Sequence, residues 1–420
     1  MWFRSLRNTV AQIRYSNGYS SRIKISSFLL TVNPSPFLTK VSSISFSSSV
    51  IVVNTSQFHN PSSNFSSIVA SYPINSVGLS ESEAISASKK VHFETTSKPD
   101  SVLSLLESYG FTKPYISKLI TRAPSILSSE PEISLKTQFD YFNSKGLSGI
   151  DLAKVISSEP RILRASLTTQ IIPVFDILRN IVHCDENVVL ILRRHSWILS
   201  DKRCIKNMTL NIELLRNEGV PQSNISNFLI SRPRALTMNT SKYKESVEEI
   251  KDMGFEPYKT TYLLAIHVIN GLSKSNRESR VAVYRRFGWS EEQIHNAFRY
   301  HPVCMMTSEK KITSVMDYLV NQMGYSSSYI AQYPSIFCYS LEKRIIPRCS
   351  VYKTLTSKGL VKNQFSLISL LALCEKSFSM KFVKEYAQKV PQLSEVYKGQ
   401  FNSQNLLISS SSKRLSEGVK

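Results

Sequence analysis

Acidic residues are absent from the first 80 positions of this 420-residue sequence, and long apolar runs are absent throughout. No stretch approaches the ~18 apolar residues of a membrane-spanning helix, so no membrane association is expected. The six cysteines (Cys184, Cys204, Cys304, Cys338, Cys349 and Cys374) include no C-x-x-C pair. That scatter excludes a zinc or disulfide framework and leaves them as small core residues in a reducing compartment. The glycine signatures of phosphate loops and dinucleotide folds are missing as well. His295 and His301 stand six apart, off a common helical face, and His183 beside Cys184 has no further ligand in range. The pairs Glu248-Glu249 and Glu291-Glu292 are adjacent, so on a helix their carboxylates diverge. The expectation is therefore no metal, no cofactor and no enzymatic activity.

Positive charge is abundant by contrast. The chain holds 52 basic and 31 acidic residues, for a formal charge of +21. Arg4, Arg7, Arg14, Arg22, Lys24 and Lys40 supply the charge of the acid-free first 80 positions, leaving 46 basic against 31 acidic residues in the rest. A body that is basic in its own right points to an anionic polymer as partner, with solubility alone as the plainer alternative. At the N-terminus Trp2, Phe3, Leu6, Val10 and Ile13 fall near helical spacing among arginines, and serine runs follow. Arg-rich, Ser-rich and acid-poor composition reads as an organellar transit peptide and disordered leader over residues 1–80. The amphipathic arginine segment favours the mitochondrion; the long serine-rich continuation keeps the chloroplast open. Residues 81–99 read as a polar linker, and residues 401–420, serine-rich and poor in aromatics, as a disordered tail.

Between them, residues 100–400 repeat. Gly110 precedes Pro124 by fourteen residues, and Gly146 with Pro160, Gly219 with Pro233 and Gly288 with Pro302 keep the same interval. Further glycines at 254, 324 and 359 extend a period of about 35 residues, the sign of a stacked array. The third repeat, beginning near His183, has lost its glycine and carries Ser196 where its neighbours have proline. The fifth has Val268 at that place, and the seventh is shortened, with Gly324 ten residues before Pro334. A second register supports the frame: Leu167, Ile171, Ile172 and Pro173 recur as Leu341, Ile345, Ile346 and Pro347.

Within a unit, Ile150, Ala153 and Ile156 line one face of a first helix, which proline ends near Ser158. A short turn follows. A second helix then buries Ile171, Val174, Phe175 and Leu178, with Pro173 in or near its first turn. Neither helix can bury its face alone, so units must stack. Two apolar segments, from Phe365 to Cys374 and from Phe378 to Val390, are expected to cap the array. No useful strand alternation appears, and the fold class is all-α.

The pattern resembles the mitochondrial transcription termination factor (mTERF) family, in a plant organellar form. The matching text is Gly110-Phe111-Thr112 with Pro124-Ser125-Ile126-Leu127, and Gly146-Leu147-Ser148 with Pro160-Arg161-Ile162-Leu163. Gly288-Trp289-Ser290 and Gly324-Tyr325-Ser326 with their prolines follow it more loosely. The resemblance implies a right-handed type of curved α-solenoid, in which each repeat holds two α-helices and a short 3₁₀ turn. It also implies a basic concave groove for double-stranded DNA or RNA of the organelle. The roles it suggests are transcription termination or initiation, intron splicing, or work on ribosomal RNA.

The candidate contacts are cations near the proline turns. Arg122, Arg161 and Arg164 belong to the first two turns, Arg193 and Arg194 to the third, Arg232 and Arg234 to the fourth, and Arg299 to the sixth. Recurrence at one place in each unit would align them along one edge, matching a phosphate backbone. The alternative is a set of ordinary helix-end cations. Lys343, Arg344 and Arg348 form a second group on a second helix, where a solvated outer face is the competing reading. Trp197, Tyr300, Tyr333 and Tyr339 are placed either to stack on bases or to pack in the array. The expected protein is a monomer that binds nucleic acid, with protein partners in organellar gene expression. The rival is a protein-binding solenoid scaffold.

Overall fold

The computed structural model describes residues 68–69, 71–361 and 365–398, and every regular element in them is helical. Most of the expected leader, residues 1–67, and the expected tail, residues 401–420, lie outside the described residues. The period found in the sequence is the period of the fold. In repeat 2, Gly149–Ser158 forms the first helix, Pro160–Arg164 a 3₁₀ turn, and Ile172–Val182 the second helix. Repeats 1, 4 and 6 follow it with turns at Pro124–Ser128, Pro233–Leu236 and Pro302–Met306. The shortened seventh repeat keeps a first helix of five residues, Ser327–Ala331, before its turn at Pro334–Cys338.

The turn has one backbone solution. The residue before it leaves the helical region at φ −142° and ψ 68° in Ala123, −140° and 73° in Glu159, and −147° and 75° in His301. Proline imposes this by clashing with a helical predecessor. The motif shared by Leu167–Pro173 and Leu341–Pro347 is a second local device. In both places a five-residue π-turn, Leu167–Ile171 or Leu341–Ile345, feeds an α-helix with proline in its first turn.

Repeat 3 keeps this geometry without either marker residue. His183 adopts φ 65°, the one positive φ outside glycine among the described residues, and so fills the left-handed joint that glycine fills elsewhere. His195 takes φ −139° and ψ 52° ahead of a 3₁₀ turn over Ser196–Leu199, although no proline follows it. Repeat 5 differs. With Val268 in place of proline, its first helix runs unbroken from Thr260 to Gly271, and no 3₁₀ turn separates it from the second helix at Lys274–Arg286. Proline is dispensable where neighbours hold the turn; at Val268 nothing interrupts the helix.

One continuous apolar cluster runs from Val69 to Leu371, and a smaller one joins Val351, Leu355, Phe378, Phe382 and Leu393 over the last repeat. The cap helix Leu367–Ala372 joins the two, with Leu367 and Leu371 in the first cluster and Leu370 in the second. The polar stretch 81–99, expected to be a linker, is folded. Glu81–Ser88 is a helix closed by a reciprocal Ser80–Glu83 capping box, and Ala84, Ala87, Val91 and Phe93 are buried. Val69, Tyr72, Val77 and Leu79 also belong to the core, and the Tyr72 hydroxyl donates to Asp100 at 2.6 Å. The folded body therefore begins inside the span assigned to the leader. Its signal was obscured because only alternate or isolated positions there are apolar.

Gly110 shows how tightly joints can pack. Its φ is +88°, and a Cβ there would lie 2.8 Å from the Gly149 Cα. Gly219, at φ +81°, faces open space. Gly110→Ala should therefore cost more than the ~1–2 kcal/mol of a left-handed alanine alone, and Gly219→Ala about that amount. Chemical denaturation of the two variants checks this; equal losses would refute the close packing.

Candidate nucleic-acid interface

Each repeat presents two ends to solvent: the joint end, where a second helix passes into the next first helix, and the turn end. Their electrostatics differ. At joints, cations meet carboxylates: Arg179 and Asp185 are 3.0 Å apart, Lys145 and Asp185 3.6 Å, Lys251 and Glu218 2.8 Å, and Arg285 pairs with Glu291. At the turn ends of repeats 3 and 4 the balance is reversed. Residues 193–206 and 230–244 hold nine basic residues and one acid, Asp201. The Asp201 carboxylate is occupied as a helix cap, accepting from the Cys204 backbone N–H at 3.0 Å, and that bond holds it below the usual carboxylate range. Among the described residues only Arg193 of the nine has an acidic partner, Asp151 at 3.1 Å.

Arg194 and Arg234 from the candidate row are exposed here, and Arg232 is half-buried. Arg234 lies over the half-buried Trp197 ring, 4.9 Å from its centroid, so the guanidinium of one turn covers the indole of the preceding one. Lys202, Arg203, Lys206, Lys242 and Lys244 complete the patch, all exposed, and a pattern centred on the prolines leaves them out. They sit in the opening turns of the second helices Lys202–Asn217 and Thr240–Asp252. The scarcity of acids around each turn, rather than the position of its arginines, is the signal that marks them.

The other candidates divide. Arg161 is exposed but forked onto Glu159, with Nε to Oε1 at 2.5 Å and Nη2 to Oε2 at 3.2 Å. Arg164 reaches across to the Ser125 hydroxyl of the previous turn at 3.4 Å. Arg122 donates to the carbonyls of Ser157 and Ser158, bracing the end of the next first helix. Arg299 turns to the Gly254 carbonyl at 3.3 Å, a joint and not a turn. Lys343 is exposed at the start of its helix.

Arg344 and Arg348 require a correction. Arg348 is 1% exposed, and its Nη1 donates to the carbonyls of Leu370 at 2.9 Å and Leu373 at 2.6 Å. Its Nη2 reaches Glu375 at 3.1 Å, and Phe378 lies against the guanidinium. Arg344 also donates to Leu371 and Leu373, at 2.9 and 2.6 Å, with Tyr339 beneath it. Both close the carbonyl end of the cap helix Leu367–Ala372, where no further helical N–H is available. Arg348 cannot meet a ligand from there. Of the aromatic candidates, Tyr333 packs against Tyr329 at 5.1 Å, whereas Tyr300 is 75% exposed.

The mTERF family model matches residues 103–314 and 266–379, most of the helical array. The chain belongs to the mTERF family. Its curated relatives include two from Arabidopsis thaliana. One, "Transcription termination factor MTEF18, mitochondrial", is 23% identical over 284 residues, covering 62% of this chain and 50% of the relative. The other, "Transcription termination factor MTERF8, chloroplastic", is 23% identical over 282 residues, covering 66% and 54%. This mTERF chain thus spans about half the length of the curated relatives it matches. Among the described residues no helix is long and apolar enough to cross a membrane, and no three metal-ligating side chains gather.

Arg348→Ala would strand the carbonyls of Leu370, Leu371 and Leu373 and remove the Glu375 partner. A loss of roughly 3 kcal/mol is expected, since charged hydrogen bonds contribute about 1.5–3 kcal/mol each and water partly replaces them. Denaturant unfolding followed by circular dichroism checks this; an unchanged transition would return the Arg348 side chain to the surface.

Proposed function

We propose that this chain is an organellar nucleic-acid-binding protein that regulates organelle gene expression without catalysis, gripping phosphates with the turn ends of repeats 3 and 4. The observation that carries the reading is the separation of charge within one array: carboxylate-paired cations at the joints, and at two adjacent turns nine cations of which only Arg193 has a carboxylate partner among the described residues. A purely solvated surface gains nothing from such sorting, whereas a polyanion is attracted and oriented by it. Arginine dominates the turns themselves, and its planar fork engages phosphate oxygens in pairs. Family membership and relatives named as transcription termination factors, one mitochondrial and one chloroplastic, support the same class of work. The arginine-rich leader favours the mitochondrion, with the chloroplast as the alternative.

Binding of the full chain to duplex DNA and to single-stranded RNA across a salt series tests this. A steep log–log slope is expected. Replacing Arg194, Arg203, Arg232 and Arg234 together with glutamine should reduce its magnitude on duplex DNA by roughly 0.9 for each phosphate that is no longer neutralised. Arg179→Gln, at a joint, should leave it unchanged. Weak binding to both polymers at low salt would overturn the reading and favour the protein-binding scaffold.

A further inference from the structure

The residue just before each turn, or before Val268 where repeat 5 lacks one, holds one position in the repeat register. Along the array it is Ala123, Glu159, His195, Arg232, His267, His301 and Tyr333. Three histidines at one register position is a pattern that the arginine row does not explain. They are not alike in their surroundings. His301 is engaged by Cys338, with Nε2 and Sγ 3.1 Å apart, and burial holds its imidazole below the ordinary histidine value. His267 sits edge-on to Phe228, inside the unbroken helix of repeat 5. His195 follows Arg193 and Arg194 and stands two residues before Trp197, the ring that Arg234 covers.

Around His195 the elements are well defined. Its own helix contributes Arg193 and Arg194, the next turn contributes Arg232 and Arg234, and its own turn contributes Trp197. Two carboxylates of the preceding repeat are already engaged: Glu159 by Arg161, and Asp151 by Arg193. Asp201 caps its helix. Partial burial, together with the charges of Arg234 and Arg194, holds the imidazole below the ordinary histidine value. Its backbone is fully used, donating to the Ile191 carbonyl at 2.8 Å and accepting from Ile198 at 3.1 Å. Arg194 is its chain neighbour, Arg234 lies 4.9 Å from the ring of Trp197 two residues on, and no ion pair among the described residues joins His195 to a carboxylate. What this arrangement calls for is an anion.

We propose that His195, Arg194 and Arg234 form a phosphate pocket in which His195 takes up a proton as the anion enters. A phosphodiester, carrying one negative charge, offsets the two guanidinium charges that oppose imidazolium formation, and the charged imidazole then donates a further hydrogen bond to it. Trp197 beneath Arg234 keeps that guanidinium in place. The inference rests on the nucleic-acid reading above and adds to it a specific subsite and a coupling to pH. The sign follows from linkage. The bound state holds the proton more tightly than the free state, so affinity rises as pH falls through the interval between the two imidazole pKa values. Above that interval the pocket binds as a pair of arginines only.

The test uses the full chain and a short duplex DNA in titration calorimetry, with two buffers of different ionisation enthalpy, from about pH 6 to about pH 8.5 at constant salt, a range that spans histidine titration. Wild type should take up a fraction of a proton on binding, and its affinity should rise several-fold towards the acid end, since one unit of pKa change is about a tenfold change in binding. His195→Gln should lose that uptake yet still bind at the alkaline end. His301→Gln should retain it. Arg234→Gln should reduce both uptake and affinity. Binding with no uptake in wild type, or with uptake unchanged in His195→Gln, overturns the pocket and leaves the nucleic-acid reading intact. Absence of binding at every pH and salt overturns both.

Discussion

A repeat of this chain has an apolar stripe on each of two helices and no partner for either except the next repeat. Everything else depends on that constraint. Burial of Leu152, Ile156, Phe175 and Leu178 is complete only because helices from both neighbouring units close over them. The stack then dictates backbone that the local sequence does not. His183 holds a left-handed conformation disfavoured for its side chain, and Ser196 opens a 3₁₀ turn without proline, because the units on both sides demand the same joint and the same turn.

Stacking also sorts charge. Joints bring the end of one second helix beside the start of the next first helix, and acids in first turns there meet cations in last turns, as Asp185 meets Arg179. Turn ends are matched less often. Arg161 meets Glu159 and Arg193 meets Asp151, but Arg122, Arg164 and Arg234 reach backbone carbonyls, the previous turn or an indole ring, and most turn-end cations of repeats 3 and 4 are exposed without a carboxylate. Repeat 5 then interrupts the series of turns. Because its first helix runs on through Val268, the 3₁₀ turns of repeats 3 and 4 have no equivalent on the following unit.

Much of this was legible from residues alone. The glycine–proline interval marked joints and turns, since both residues act on their own backbone. The doubled Leu-x-x-x-Ile-Ile-Pro motif marked a helix start for the same reason. The folding of the expected linker was hidden for a physical reason too. Ala84, Ala87, Val91 and Phe93 are buried, with Glu81–Ser88 packed on the helix Lys113–Arg122 and Phe93 edge-on to Tyr72, and small or isolated apolar residues give no periodic signal of their own.

The sequence by itself determined the helical class, the period, the basic excess and which residues stand near each turn, because these follow from backbone preference and composition. Only the tertiary structure decided which cations are available to a ligand. Arg194 and Arg348 are alike as residues near helix ends, yet one is exposed beside a neighbouring turn and the other is buried against carbonyls of a cap helix that begins well after it in the chain. A guanidinium finds the nearest unsatisfied acceptor in three dimensions, and no local pattern says where that acceptor will be.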